Sequence, residues 1–238
     1  MRKGRTPRMM ALRKWHVRLG WLIGVPLILW TGSGLFMAAA PIERVRGAHL
    51  RAEAPALPPI TPIAPMLEGR AADQLQLLTI GGKAVWVVAY KDGGRRRADP
   101  ADGALLPAVG ASEASAIARA ARKGDGAIVS VTRSDAQHPP LDLRRERPAW
   151  AVQFADGARF YIDADTGELM AVRTRLWRWF DFLWGLHIMD LQTREDVNNP
   201  LLVVFAALAF GGMLIGSILM FRRRKARPRT EGTPRAEA

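Results

Sequence analysis

Two stretches without a charged residue constrain the fold of this chain most. Residues 19–40 form an uncharged run of 22 residues, and residues 201–221 form a second run of 21. An α-helix needs about 20 mostly apolar residues to cross the hydrocarbon core of a bilayer. The sequence therefore predicts two transmembrane helices, at residues 15–40 and 200–221.

A cleaved signal peptide is the alternative for the first run, because Ala38-Ala39-Ala40 resembles a cleavage site. The run is longer than the roughly 7–15 apolar residues of a signal peptide, and Pro41 would follow the cut. We therefore expect this segment to stay as an anchor.

The positive charge of the chain lies mostly beside the two apolar runs. The formal net charge is +13; residues 1–18 hold seven Lys or Arg and no acid, and residues 222–238 hold seven against two acids. Basic residues that flank a span tend to stay in the cytoplasm. The sequence predicts a bacterial inner-membrane protein with cytoplasmic basic segments at 1–14 and 222–238 and residues 41–199 in the periplasm. It does not predict a nucleic-acid partner, because the intervening chain is nearly neutral.

A pattern of Trp, Asp and Gly occurs twice between the spans, at a spacing of 64 positions. Alternating apolar residues indicate strands, and Asp-Gly indicates a hairpin turn. We expect an α+β periplasmic domain at 66–172 with two related hairpin units, the second at 111–172, anchored by two transmembrane α-helices. The signature residues are Trp86, Asp92, Gly93, Asp99 and Gly103 in the first copy and Trp150, Asp156, Gly157, Asp163 and Gly167 in the second.

The remaining segments have distinct compositions. Residues 41–65 are Pro-rich and predict an extended linker, and residues 173–199 predict an aromatic interfacial helix and a loop. Small residues allow membrane helices to approach closely. We expect Gly20, Gly24, Gly212 and Gly216 to lie at helix contacts, and Arg95-Arg96-Arg97 to lie on a solvated strand face.

Three short motifs resemble those of PepSY domains and PepSY-associated transmembrane proteins. They are Tyr161-Ile-Asp163-Ala-Asp-Thr-Gly167, Arg13-Lys-Trp-His16-Val-Arg18-Leu-Gly20, and Leu186-His187 ahead of a Gly-rich span. The larger members of that family have about four spans, whereas this chain has two. The resemblance implies a role in iron uptake, including reduction of ferric siderophores. It also implies haem binding by membrane histidines, or binding and inhibition of proteins by the PepSY domain.

His16 and His187 are the candidate cofactor ligands, because haem iron accepts axial imidazole. They are predicted on opposite sides of a hydrocarbon core about 30 Å thick, so they cannot share one iron. A two-ligand site would require a dimer or a partner protein. The alternative is that both are interfacial histidines bonded to water or lipid headgroups.

The other motifs favour structure over catalysis. Asp163-x-Asp165-x-Gly167 lacks the further ligands of a calcium loop and is better explained as a turn. No hydrolase or phosphate-loop motif is present, and the chain has no cysteine. We predict no catalytic residues and no metal site.

The leading hypothesis is therefore a membrane-anchored PepSY-type binding or accessory module that serves iron (siderophore) uptake. The alternative is a haem-binding electron-transfer subunit of a membrane ferric-siderophore reductase, and a third is a peptidase inhibitor. A protein partner in the membrane or periplasm is expected, with a homodimer as an open alternative.

Overall fold

The computed structural model describes residues 7–223. The described residues divide into two compact units, Ala39–Asp181 on the one hand and residues 7–38 with 182–223 on the other. The elements in chain order are α1 (Pro7–Ala39), α2 (Ile42–Val45), β1 (Ala72–Ile80), β2 (Lys83–Tyr90), β3 (Arg95–Ala98), α3 (Ala111–Ala120), β4 (Ile128–Ser134), β5 (Ala149–Phe154), β6 (Arg159–Asp163), β7 (Leu169–Arg173), α4 (Arg175–His187) and α5 (Pro200–Arg223).

Helices α1 and α5 are long and apolar enough to cross a membrane. In an 18-residue apolar stretch of each helix, only 11% of the residues are buried inside the protein. The core helix of a soluble protein would be mostly buried, so these exposed apolar surfaces suit a lipid environment. The protein is a membrane protein with two apolar helices.

Helix α1 begins earlier than the residue predicted from the uncharged run. It starts at Pro7 and contains 33 residues, which gives a length of about 50 Å. The basic residues from Arg8 to Arg18 therefore continue the helix beyond its uncharged part. The outer parts of the predicted basic segments, residues 1–6 and 224–238, lie outside the described residues.

The unit Ala39–Asp181 contains two antiparallel sheets. One has the strand order β1-β2-β3 and the other β4-β5-β6-β7. Helix α3 carries its buried residues Ala114, Ile117 and Ala118 on one face, and these pack against the second sheet. The core of this unit includes Phe154 and Phe160, whose rings meet edge to face with centroids 5.2 Å apart. The fold class is therefore α+β.

The hairpins β2-β3 and β5-β6 have the same register in the two copies of the repeated pattern. Trp86 pairs with Ala98, and Trp150 pairs with Ile162. In each turn the Asp side chain accepts a hydrogen bond of 2.9 Å from the backbone N–H two residues later, at Asp92 and at Asp156. Equivalent side chains therefore stabilise equivalent turns. The assignment of these hairpins to PepSY units stays a prediction.

The predicted linker is less extended than its proline content suggests. Helix α2 and a 3-10 turn at Ala48–Leu50 occupy its first part. Near its end, Ile63 N donates to Pro100 O at 2.8 Å, and Met66 N, directly after the linker, donates to Gly103 O at 2.8 Å. The last linker residues are thus held against the first hairpin by backbone hydrogen bonds.

The expectation of a solvated arginine face on β3 was wrong for two of its three residues. Arg97 is buried and donates to both carboxylate oxygens of Glu113, at 2.6 and 2.7 Å. Arg95 donates to Glu168 at 2.6 Å. Only Arg96 of these three is exposed. The acidic partners lie 16 and 73 residues away in the chain, which is why the local sequence did not indicate them.

Candidate functional site

His187, at the end of α4, is held closely by residues of α1. Its ring stacks on the ring of Trp30, with centroids 4.7 Å apart and an angle of 11° between the planes. Its Nδ1 lies 3.1 Å from the carbonyl oxygen of Trp30 and 3.1 Å from the hydroxyl of Ser33. A carbonyl oxygen can only accept, so an Nδ1–H that donates to it leaves the Nε2 lone pair available.

Gly34 makes room for this imidazole. A Cβ atom at position 34 would lie 3.1 Å from Cε1 of His187.

Sequence reasoning proposed His187 but missed Ser33 and Trp30, its two hydrogen-bonding neighbours. The only local signal was a hydroxyl residue inside an apolar run; the contact itself joins residues 154 apart.

His16 lies in a different environment, near the start of α1. Its ring packs on α5, where a Cβ at Gly216 would lie 2.9 Å from Cε1 of His16. Its Nδ1 is buried and has no hydrogen-bond partner among the described residues. Several helical turns of α1 separate His16 from Trp30, the residue on which His187 stacks. The structure therefore does not bring His16 and His187 to one iron.

The four glycines expected at helix contacts occupy two kinds of environment. A Cβ at Gly212 would lie 3.4 Å from Cδ1 of Ile23, and Gly216 lies against His16 as described above. At Gly20 and Gly24 a Cβ would meet no atom of the described residues within 4 Å. Within this part of the chain, the close approach of α1 and α5 thus involves glycines of α5.

Asp163 organises the second repeated turn. It is fully buried, and its Oδ1 accepts hydrogen bonds from the N–H groups of Asp165 at 2.9 Å and Thr166 at 2.8 Å. Its carboxylate also forms an ion pair with Arg147. Burial, followed by repulsion from Asp163, raises the pKa of Asp165. The carboxylate of Asp163 is thus engaged by the turn itself and by one arginine.

No hydrolytic constellation forms around the neighbouring Ser134, Asp135 and His138. Nδ1 of His138 lies 3.3 Å from Asp135, but the hydroxyl of Ser134 donates to Ala149 O at 3.3 Å. Among residues 7–223, no group of three or more His, Asp or Glu side chains is arranged to hold a metal ion. These side chains therefore provide no nucleophile with an adjacent base.

A tightly bonded loop joins α4 to α5. The carboxylate of Asp190 accepts from the backbone N–H groups of Gln192, Thr193, Glu195 and Asp196 at 3.0–3.2 Å and from the Thr193 hydroxyl. These donors, the hydroxyl first, hold the pKa of Asp190 well below its ordinary value. Sequence reasoning expected a break at this position but not its internal bonding.

The fold and its two apolar helices define a membrane-anchored α+β protein. The family model described as the PepSY-associated TM region matches residues 13–237. The chain belongs to this family, which confirms the resemblance drawn from its motifs. No curated protein and no solved structure matches the chain.

Proposed function

We propose that the protein is a membrane-anchored PepSY-type accessory module that binds a protein partner and serves iron (siderophore) uptake. Family membership supports the membrane-associated PepSY module. The two spans flank Ala39–Asp181 in the chain, and in this proposal they anchor the domain at a single membrane face.

The proposal rests on the structural role of the polar signature residues of the domain. Asp92 and Asp156 close equivalent turns, and Asp163 closes the next turn while it pairs with Arg147. The indole N–H groups of Trp86 and Trp150 donate to backbone carbonyls at 2.8 and 2.7 Å. Side chains engaged in this way stabilise a rigid domain, which suits a binding role better than a catalytic one.

The domain is placed in the periplasm in this proposal, on the strength of the basic residues that flank both spans. The chain has no cysteine, so single cysteines can report orientation. In intact cells with a permeable outer membrane, Ser112→Cys should react with a membrane-impermeant maleimide, and Thr230→Cys should react only after lysis. The reverse pattern would contradict the proposed orientation.

Partner binding is tested by photo-crosslinking in iron-limited cells. A benzophenone amino acid at Leu75 or Val129, which are 43% and 57% exposed, should give a discrete crosslinked protein band. The same residue at Leu201, on an apolar helix, is the control for collisions with the membrane.

Deletion of the gene should slow growth on a ferric siderophore as the sole iron source. Hydrolysis of a substrate by the purified protein alone would contradict a non-enzymatic role.

A haem-carrying electron-transfer subunit is the second candidate, and the geometry of His187 favours it. Metal-bound histidines commonly donate their other ring N–H to a carbonyl, as Nδ1 of His187 can to Trp30 O. His187 would therefore be the residue that holds the haem iron. His16, whose Nδ1 has no hydrogen-bond partner within residues 7–223, lacks this support. Bound haem would supply one-electron transfer, for which the chain would orient the imidazole and provide an apolar setting.

The visible spectrum of detergent-purified protein, oxidised and dithionite-reduced, tests this candidate. A Soret band at near-stoichiometric haem should be lost in His187→Ala and retained in His138→Ala, which changes a histidine that is 86% exposed. Colourless protein from haem-replete cells would contradict the electron-transfer role and leave the binding module.

A further inference from the structure

Five arginines gather where the β6-β7 edge of the second sheet meets the start of α4. This arginine cluster consists of Arg144, Arg159, Arg173, Arg175 and Arg178. Two carboxylates, Asp142 and Asp181, lie among them. The group therefore carries an excess of positive charge within a small volume.

Both carboxylates are already engaged. Asp142 accepts from the Tyr161 hydroxyl at 2.5 Å and from Arg159 Nη1 at 3.2 Å. Arg173 Nε donates to the backbone carbonyl of Asp142 at 2.5 Å. Asp181 is buried and forms an ion pair with Arg144. These contacts hold Arg144, Arg159 and Arg173 in place, and the two carboxylates offset only two of the five positive charges.

Arg178 has a buried donor that the described part of the protein does not satisfy. Its Nη2 donates to Gly157 O at 2.9 Å, whereas its Nη1 is buried and has no hydrogen-bond partner among residues 7–223. Burial and then repulsion from Arg159 lower the pKa of Arg178, and burial lowers the pKa of Arg173. A buried guanidinium donor without a partner is costly, and a bound anion would both accept from it and relieve the repulsion.

The surroundings of the cluster indicate the source of the anion. Arg173 lies over the Trp177 ring, 4.2 Å from its centroid. Trp179 is 64% exposed and lies one turn after Arg175, on the same face of α4. Exposed Trp beside Arg, on a helix just before a membrane span, is typical of the bilayer headgroup region.

We propose that the arginine cluster binds the phosphate of an anionic phospholipid. Guanidinium groups bind phosphate oxygens through paired hydrogen bonds, whereas a lysine ammonium acts as a point charge. The site would tie the domain to the lipid surface. This proposal is independent of the partner that the domain binds and of haem.

Native mass spectrometry of the full-length protein, released from a neutral detergent, tests the proposal. Short-chain phosphatidylglycerol should bind at least about tenfold more tightly than phosphatidylcholine with the same acyl chains, because only the former carries a net negative charge. Arg175→Gln changes an exposed side chain and should weaken phosphatidylglycerol binding about tenfold without unfolding the domain. Arg178→Lys keeps the charge and should also weaken binding.

Arg96→Gln is the matched control, since it removes the same charge from an exposed arginine of β3. It should leave phosphatidylglycerol binding unchanged. Equal binding of the two lipids, or equal losses in Arg175→Gln and Arg96→Gln, would overturn the proposal. Inorganic phosphate that binds as tightly as the lipid, and displaces it, would overturn the lipid assignment in favour of a soluble phosphate.

Discussion

Replacement of Gly167 by alanine tests how tightly the turn between β6 and β7 is packed. Gly167 has φ +83°, and a Cβ there would lie 3.2 Å from Ile80 Cγ2 and 3.3 Å from Ile117 Cδ1. Gly93, in the first hairpin, has φ +86°, but no atom of the described residues lies within 4 Å of a Cβ position there. Both substitutions therefore strain the backbone, but only Gly167→Ala also crowds neighbouring side chains.

The expected magnitudes follow from these two contributions. A left-handed backbone costs a non-glycine residue about 1–2 kcal/mol, which is the whole effect expected for Gly93→Ala. Overpacking adds about 1–3 kcal/mol. The crowded atoms at Gly167 are the ends of flexible side chains, so we expect the lower part of that range. Gly167→Ala should thus destabilise its hairpin by about 2–4 kcal/mol in total.

Hydrogen exchange followed by mass spectrometry measures both effects in the intact protein in detergent. Each 1.4 kcal/mol corresponds to about tenfold faster exchange of protected amides. Exchange should accelerate roughly 30- to 700-fold in peptides covering β6 and β7 for Gly167→Ala. It should accelerate roughly 5- to 30-fold in peptides covering β2 and β3 for Gly93→Ala. Equal acceleration by the two substitutions would refute the argument from packing.

Two further predictions concern ion pairs of the same domain. Asp163→Asn removes a buried charge that faces Arg147 and should cost about 3 kcal/mol, whereas Asp99→Asn, at the equivalent position of the first turn, should cost less than about 1 kcal/mol. The same exchange assay compares them, and similar losses would contradict the role of the ion pair. The hydrogen bond from Arg97 holds the pKa of Glu113 below its ordinary value. The stabilisation from this pair is therefore present when the pH is above the ordinary pKa of Glu113, and it is lost as the pH falls through the lowered pKa. Glu113→Gln should weaken the acid dependence of exchange in α3; an unchanged dependence would exclude this pair as its source.

The repeated hairpins illustrate how much could be predicted from residues near one another in the chain. Asp-Gly at 92–93 and 156–157 indicates a tight turn through local backbone chemistry, and alternation around Trp86 and Trp150 indicates the strands. The register of the two hairpins agrees with the spacing of the repeated pattern. Each of these features depends on contacts within one hairpin.

The candidate sites were less predictable, because their contacts join distant parts of the chain. His187 was proposed from its position, but its contact with Ser33 spans 154 residues. Arg97 was expected in solvent, but it is buried and pairs with Glu113 on α3, 16 residues away in the chain. A pattern of neighbouring residues in the sequence does not indicate which distant residue the fold will place beside His187 or Arg97.

Residues close together in the chain are sufficient to predict that it is anchored in a membrane by two apolar helices and carries paired hairpins between them. The length of each uncharged run indicates a membrane span, and Asp-Gly indicates a hairpin turn. Both inferences need only the residues within one segment of the chain. The tertiary structure is needed to learn which arginines are neutralised inside the domain and which gather around α4. The same holds for the nitrogen of His187 that faces the Trp30 carbonyl. Those outcomes depend on packing between segments, because a buried charge or imidazole is stabilised only by the groups that the whole fold places beside it.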